Sequence, residues 1–447
     1  MDKFIDKLLL YDDRVSLIYK DKSITYLELV VKIKSLHKFI KETIPEGGVV
    51  LLNSGLSIES IVYFFALFLN RNIIVPVADM NSEEVKNRIL ISSADFIIRI
   101  SSSGLEIEQN ETTDTLPEIY QEIENNRHPG LVLFSSGITG TPKGMVHDLF
   151  ILMSPFLTKK AKNISFMAML MFDHIGGLNT VFSALFSGAT LVIPENRDPY
   201  TVCNLIEKHK VGVLPASPTM LNLILMSGAF QKFDLNSIRV ITYGTEPMPE
   251  GLLLKLNNAF PKVRFIQTFG TSETGITQIS SKSSSSIRLK FDDPETDYKI
   301  VEGELWIKSK TVIKGYLNAE MDQFTPEGWF KTGDLADAGD DGYFIITGRK
   351  NEIINVGGLK VYPQEVESVL MEIPIIANCL VYGEKNPITG NIVLAKVQLT
   401  GSVDKTNALT EIRSYLRSRL DRYKIPLKIH FVGTIDHNDR FKKIRNI

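Results

Sequence analysis

The sequence predicts an α/β protein: a large N-terminal lobe of mixed or parallel sheets with flanking helices, then a small α+β C-terminal domain. Three observations carry this. Strand and helix patterns alternate without an obvious linker to about residue 345. The strands are short continuous apolar runs, as in parallel sheets covered on both faces. After Gly348-Arg349-Lys350-Asn351 the texture changes, leaving about 100 residues, a usual size for an independent domain. The expected boundary divides 1–350 from 351–447.

The elements follow in order. Thr25-Tyr26-Leu27-Glu28 has the form of a capping box, in which Thr and Glu satisfy the first free amides of a helix. Leu29, Ile33, Leu36 and Ile40 continue it as one apolar face. Val49–Leu52 and Ile73–Pro76 read as strands, with Ser57–Asn70 a helix between them. Further on come helix Tyr200–Lys208, strands Val211–Leu214 and Arg239–Tyr243, helix Glu250–Phe260 and strand Val263–Gln267. The serine-rich Ser280–Ser286 reads as a flexible surface connection, and Ala338–Gly342 as a hairpin turn. The C-terminal part shows helix Gln364–Met371, strands Ile375–Tyr382 and Ile392–Leu399, and a basic helix Glu411–Arg422.

Composition excludes several function classes. Among 447 residues, 50 Lys+Arg face 52 Asp+Glu, without the basic excess expected of a protein that binds nucleic acid over its whole surface. With two cysteines, Cys203 and Cys379, neither a disulfide framework nor a cysteine metal cluster is expected. The N-terminus lacks the apolar core of a signal peptide. The tempting apolar run Ile61–Leu69 has nine residues, against ~20 for a membrane span. A cytoplasmic protein without membrane insertion is expected.

The segment Ser135-Ser136-Gly137-Ile138-Thr139-Gly140-Thr141-Pro142-Lys143-Gly144 follows the apolar run Leu131–Phe134. A strand feeding a loop of Gly, Ser and Thr with one Lys is, by composition, a phosphate cradle. It is not a Walker A loop, because Gly144 and not Ser or Thr follows Lys143. Glu273 follows a buried strand, where a carboxylate calls for a salt bridge or a bound Mg²⁺. Phe269 offers an apolar face for a base, and the two oxygens of Asp334 could accept both hydroxyls of a ribose.

Five further segments keep company with the loop: Gly244-Thr245-Glu246-Pro247-Met248, Phe269-Gly270-Thr271-Ser272-Glu273-Thr274-Gly275, Gly303-Glu304-Leu305-Trp306 with Lys314-Gly315-Tyr316, Gly328-Trp329-Phe330-Lys331-Thr332-Gly333-Asp334, and Gly348-Arg349-Lys350. In this order they resemble the motifs of the adenylate-forming superfamily, which includes acyl- and aryl-CoA ligases, peptide-synthetase adenylation domains and luciferases. The resemblance implies that a small carboxylic acid is activated with ATP and Mg²⁺ to an acyl-adenylate, releasing pyrophosphate. A thioester then forms on CoA or on the phosphopantetheine of an acyl carrier protein. It also implies roles: Ser135, Ser136, Gly137, Thr139, Gly140 and Lys143 for phosphates; Gly244, Thr245, Glu246, Phe269, Gly270, Thr271 and Ser272 for the nucleotide; Glu273 for the metal; Asp334 for ribose; and Arg349 for ribose and phosphate. Asp439-Arg440-Phe441-Lys442-Lys443-Ile444-Arg445 resembles the family's ending, with Lys443 as the adenylation lysine and Lys442 replacing a glycine. The C-terminal domain would swing about Asn351 and bring Gly357 and Gly358 to the pantetheine. Ile138 departs from the usual Ser or Thr.

The acid pocket falls on Met171–Asn179, with Tyr243 and Gly244. In one frame, Phe172-Asp173 resembles the pair with which amino-acid-activating domains hold an ammonium. In the other, preferred on spacing to Ser187-Gly188, His174-Ile175-Gly176-Gly177-Leu178 matches acyl- and aryl-CoA ligases. A non-catalytic nucleotide-binding homologue and a phosphotransferase are the remaining rivals.

Overall fold

The computed structural model describes residues 1–78, 82–101, 104–110, 116–135, 141–339, 341–401, 403–438 and 441–444. The chain forms two compact units that interleave in sequence. Residues 1–215, 270–277 and 308–330 make the first, and residues 216–269, 278–307 and 331–447 the second.

The first unit holds a seven-stranded sheet that includes Val49–Asn53. Strands Ile73–Val77 and Phe96–Ser101 run parallel on either side of it, and Gly130–Phe134 runs parallel to Ile73–Val77. Gly144–Asp148 then turns back antiparallel on Gly130–Phe134, and the short strand Gly315–Tyr316 closes that edge. The inner strands are buried along their length, which explains their unbroken apolar sequence. In the same unit, Val211–Ala216, Ser165–Met167, Thr190–Ile193 and Val15–Tyr19 run parallel. Lys22–Thr25 is antiparallel at the edge, and Thr25 and Glu28 form the expected capping box for helix Tyr26–Thr43.

Helix Ile58–Leu69 is apolar nearly all round and correspondingly buried. Its N-terminus is held by Ser57 and Ser60, each capping the other's amide. Phe64 and Phe65 lie on Phe182 of helix Ile175–Leu185, and Phe182 also meets Phe156 and Phe186, with ring centroids 5.5–6.5 Å apart. Edge-to-face aromatic packing of this kind adds to the area term.

The second unit begins with helix Pro218–Ser227 and the parallel pair Val240–Tyr243 and Arg264–Gln267. A six-stranded sheet follows in which Ile279–Ser281 pairs antiparallel with Leu289–Phe291, and Phe330–Ala338 with Phe344–Arg349, so the sheets are mixed. Short turns join the neighbours Thr296–Val301 and Glu304–Ser309, and Phe330–Ala338 and Phe344–Arg349, too short for helical crossovers. The serine-rich segment departs from the simple surface connection expected. Ser281 Oγ accepts the Gln267 N–H at 2.8 Å, and Ser284 Oγ accepts the Phe265 N–H at 3.2 Å. These hydroxyls satisfy amides along strand Arg264–Gln267, which supplies a physical reason for serine there.

The C-terminal layer is a five-stranded sheet in which Ile376–Asn386 pairs antiparallel with Gly390–Leu399, and Lys428–Phe431 adds in parallel. Helices Pro363–Glu372 and Lys405–Arg419 belong to this layer. The basic helix starts earlier than expected, because Asp404 caps the Asn407 N–H at 2.8 Å. Helix Glu250–Ala259 meets Pro363–Glu372 at Gly251, where a Cβ would fall 2.6 Å from the Glu372 nitrogen. Truncating Phe182 to Ala should destabilise the protein by about 3–5 kcal/mol. Urea denaturation followed by aromatic fluorescence would read this as a lowered midpoint.

Candidate active site

The hairpin of Gly130–Phe134 and Gly144–Asp148 carries the glycine-rich loop at its tip. At its base, Ser135 N–H donates to the Lys143 carbonyl, and the Lys143 N–H donates back to Ser135 Oγ, both at 3.0 Å. Asn318 braces the outgoing strand by accepting the Gly144 N–H and donating to the Pro142 carbonyl, each at 3.0 Å. Ser136, Gly137, Thr139 and Gly140 lie outside the described residues.

Lys143 Nζ stands 5.1 Å from the ring centroid of Tyr316. The Tyr316 hydroxyl donates to Glu273 Oε1 at 3.2 Å, and burial with the Glu273 charge pushes its pKa upward, so the phenol keeps its proton. Phosphate-type cation, phenol and carboxylate thus meet in one unit from three distant stretches of sequence. Thr271 Oγ1 accepts the Thr274 N–H at 3.1 Å, and Thr311 Oγ1 donates to the Thr274 carbonyl at 2.6 Å, fixing the loop that carries Glu273. Gly270 is required there, since a Cβ would fall 2.6 Å from the Gly275 carbonyl oxygen. This corner fits Mg²⁺: one carboxylate with hydroxyl neighbours, and no cluster of three or more metal-ligating side chains among the described residues. Mg²⁺ commonly takes its remaining ligands from water and substrate phosphates.

Asp173 is buried, with Oδ2 3.4 Å from the Ala78 N–H and Oδ1 3.5 Å from His174 Nε2. His174 is the N-cap residue of helix Ile175–Leu185. Gly177 lies so close to the preceding turn that a Cβ would sit 1.8 Å from the Met171 carbonyl oxygen.

In the second unit, Tyr243 is buried and Gly244 is pressed against Thr268, whose Oγ1 would lie 2.3 Å from an added Cβ. Thr245 adopts a left-handed φ of 71°. Glu246 Oε1 accepts the Thr219 N–H at 2.7 Å. Desolvation raises its pKa, while Thr219 and the charge of Lys443 oppose that shift. Phe269 packs on Phe291 at 5.7 Å. Asp334 is buried: its N–H donates to Thr332 Oγ1 at 3.0 Å, and its Oδ1 accepts from Arg349 Nε at 2.9 Å. Next to Arg349, Lys350 pairs with Glu304 at 3.1 Å, and Asn351 lies exposed in the short turn Lys350–Glu352. Gly357 and Gly358 turn between strands Ile354–Val356 and Leu359–Val361 with φ of 58° and 87°, open to solvent. Lys443 Nζ donates to the Cys379 carbonyl at 2.8 Å.

Residues 7–317 match the family described as AMP-binding enzyme, and residues 365–442 match the AMP-binding enzyme C-terminal domain. This chain belongs to the AMP-binding enzyme family. It is 27% identical to 4-coumarate-CoA ligase 1 of Narcissus pseudonarcissus over 95% of this chain and 88% of that protein. To 2-succinylbenzoate–CoA ligase of Bacillus licheniformis it is 26% identical over 97% of this chain and 96% of that one. Among solved structures, o-succinylbenzoate CoA synthetase from Bacillus subtilis superposes with a TM-score of 0.77 in complex with its acyl-adenylate, covering 99% of this chain and 96% of that one at 23% identity. The same synthetase with ATP and magnesium ion gives 0.74, with 99% and 98% covered, also at 23% identity. The fold is therefore the mixed α/β adenylate-forming fold, with a large N-terminal and a small C-terminal domain. As an AMP-binding enzyme, the chain acts as an AMP-forming ligase that activates an acid through its acyl-adenylate.

Sequence reasoning found the family's motifs but missed the side chains that tie them together. Tyr316 was visible only as part of Lys314-Gly315-Tyr316, and Asn318, two residues on, carried no signal. His147 was missed as well. It is buried in the strand after the glycine-rich loop, and burial pushes its pKa down to about 4 against the backbone of Ser272 and Thr311. The unfolded chain protonates such a histidine near 6.5, whereas the folded protein resists until about 4. Stability should therefore fall as pH drops from 6.5 toward 4, by on the order of 3 kcal/mol, and level off below. Denaturation midpoints across that range should show a flatter slope in His147→Gln than in wild type.

Proposed function

We propose that this AMP-binding enzyme activates a non-amino carboxylic acid, of the aryl or fatty class, and passes the acyl group to the thiol of CoA. The observation that carries the reading is the convergence of Lys143, Tyr316 and Glu273. A cation for phosphate oxygens stands beside a carboxylate suited to Mg²⁺, the arrangement needed to hold ATP while its α-phosphorus is attacked. Curated relatives named as CoA ligases support the acceptor.

In this reading the substrate carboxylate forms a bond to the α-phosphorus, and the bond to the bridging oxygen breaks, releasing pyrophosphate. Lys143 and the glycine-rich loop hold the phosphates that leave. Glu273, oriented by Tyr316, would hold Mg²⁺, which when bound neutralises phosphate charge. Asp334, held by Arg349, accepts from the ribose hydroxyls, and Phe269 and the Gly244–Glu246 segment bound the base. Lys443 places an ammonium where negative charge develops on the α-phosphate. Residues 351–447 would then turn about Asn351 and bring Gly357 and Gly358 to the pantetheine arm. Glycine suits that place because backbone can approach a narrow ligand closely.

What favours an acid without an ammonium is the frame set by the spacing to Ser187-Gly188, in which His174-Ile175-Gly176-Gly177-Leu178 matches acyl- and aryl-CoA ligases, together with relatives named as CoA ligases. A pyrophosphate-release screen over fatty, aryl and amino acids, followed by mass detection of the CoA thioester, tests the whole reading. Turnover of amino acids alone would overturn it.

Three variants test residues. Lys443→Ala should slow adenylation by about 10²–10³-fold while leaving transfer from supplied acyl-adenylate intact. Lys442→Ala should change little, and the reverse outcome would shift the alignment by one. Asp173→Asn should leave the order of acid preference unchanged in competition assays.

A further inference from the structure

Glu367, on helix Pro363–Glu372, is only 2% exposed. An ionised carboxylate so deeply buried is costly unless it is both hydrogen-bonded and paired. Here it is both. Oε1 accepts the Val381 N–H at 2.9 Å, and Oε2 lies 3.5 Å from Lys443 Nζ. The same ammonium donates to the Cys379 carbonyl, and the Lys443 side chain is 11% exposed. The lysine therefore reaches from its terminal segment into the layer formed by helix Pro363–Glu372 and strand Ile376–Asn386. Its backbone is fixed too. Lys443 bridges His437, the Lys442 N–H donates to Asn438 Oδ1 at 3.0 Å, and Ser217 Oγ donates to the Phe441 carbonyl at 2.9 Å.

A basic tail ordinarily forms a solvated charge run with freely sampled rotamers. This lysine does not, and the difference is Glu367 together with the Cys379 carbonyl. We infer that Glu367 is the positioning residue of the adenylation lysine: it holds the Lys443 ammonium against the C-terminal sheet so that charge and domain move as one piece. This rests on the role given above to Lys443. The physical gain is preorganisation. A four-carbon stem with a mobile tip must be ordered before its charge can act. A charge already held in place stabilises the developing phosphate charge without reorganising at that moment.

Glu367→Gln isolates the idea, because the amide oxygen can still accept from Val381 while the counter-charge to Lys443 is removed. Pyrophosphate release should slow by about 10²-fold in kcat, with KM for ATP unchanged. Transfer of the acyl group from supplied acyl-adenylate to CoA should stay at the wild-type rate, which also establishes that the variant is folded. Glu367→Asp, which restores the charge, should recover part of the loss. In a Lys443→Ala background, Glu367→Gln should have no further effect. Equal loss of both half-reactions, no loss at all, or faster adenylation in Glu367→Gln would each overturn the inference. If Lys443→Ala itself adenylates normally, the assignment of Lys443 fails first. If Lys443→Ala is crippled and Glu367→Gln is not, only the role of Glu367 fails.

Discussion

The rest of the nucleotide site depends on one backbone pairing, the antiparallel register of Gly130–Phe134 with Gly144–Asp148. Beside the parallel strands at the middle of the sheet, that reversal lets a strand leave the core, make a glycine-rich loop and return beside itself. The reciprocal bonds between Ser135 and Lys143 close the loop's base. The return strand also has an open side, and Gly315–Tyr316 pairs with it. Tyr316 arrives beside Lys143 because Gly315 and Tyr316 register with Val146 and Met145. Glu273 follows because the Ile313 N–H donates to its carbonyl at 2.8 Å and Tyr316 donates to its carboxylate. Slipping that pairing by one residue would turn Tyr316 to the opposite face.

Much of this was legible in sequence, for a definite reason. Glycine-rich turns, capping pairs and unbroken apolar strands are local signals, and each lies within a few residues of the backbone it governs. The capping box at Thr25 and Glu28, the strand before Ser135 and the helix beginning after Ser57 are all of this kind. What escaped was tertiary. Ser281 and Ser284 read as loop residues because polarity alone does not reveal that their hydroxyls complete a strand 14 and 19 residues earlier. The antiparallel pairs of the six-stranded sheet were hidden for a similar reason: their short strands alternate no differently from parallel ones, and only the lack of intervening helices distinguishes them.

Asp173 illustrates how much of a motif's setting lies outside the motif itself. As text, Phe172-Asp173 fits an ammonium site as well as His174-Ile175-Gly176-Gly177 fits a ligase pocket. In the structure, Phe172 packs on Phe64 at 5.2 Å and Asp173 is drawn inward with it. The chain then enters helix Ile175–Leu185 with Gly177 against the Met171 carbonyl, so the whole segment is set by close packing. The aromatic contact of Phe172 and the close approach at Gly177 fix the backbone on either side of Asp173, and neither is written in the dipeptide itself.

Three cations of the second unit share a further property: each is paired with a carboxylate. Arg349 holds Asp334, Lys350 holds Glu304, and Lys443 faces Glu367. A lone buried charge would cost several kcal/mol, and it would either shift its protonation or draw the surrounding structure toward it. Paired charges avoid both outcomes, since each carries its neutralising partner before nucleotide arrives. The pairs differ in burial: Asp334 and Glu304 are largely enclosed, while Arg349 and Lys350 keep more than half of their side chains in solvent. The partially exposed Arg349 and Lys350 can readjust, whereas Lys443, nearly enclosed and tied to a main-chain carbonyl, cannot do so freely. That asymmetry separates charges free to readjust at the surface of the unit from one held by a main-chain carbonyl and a buried counter-charge.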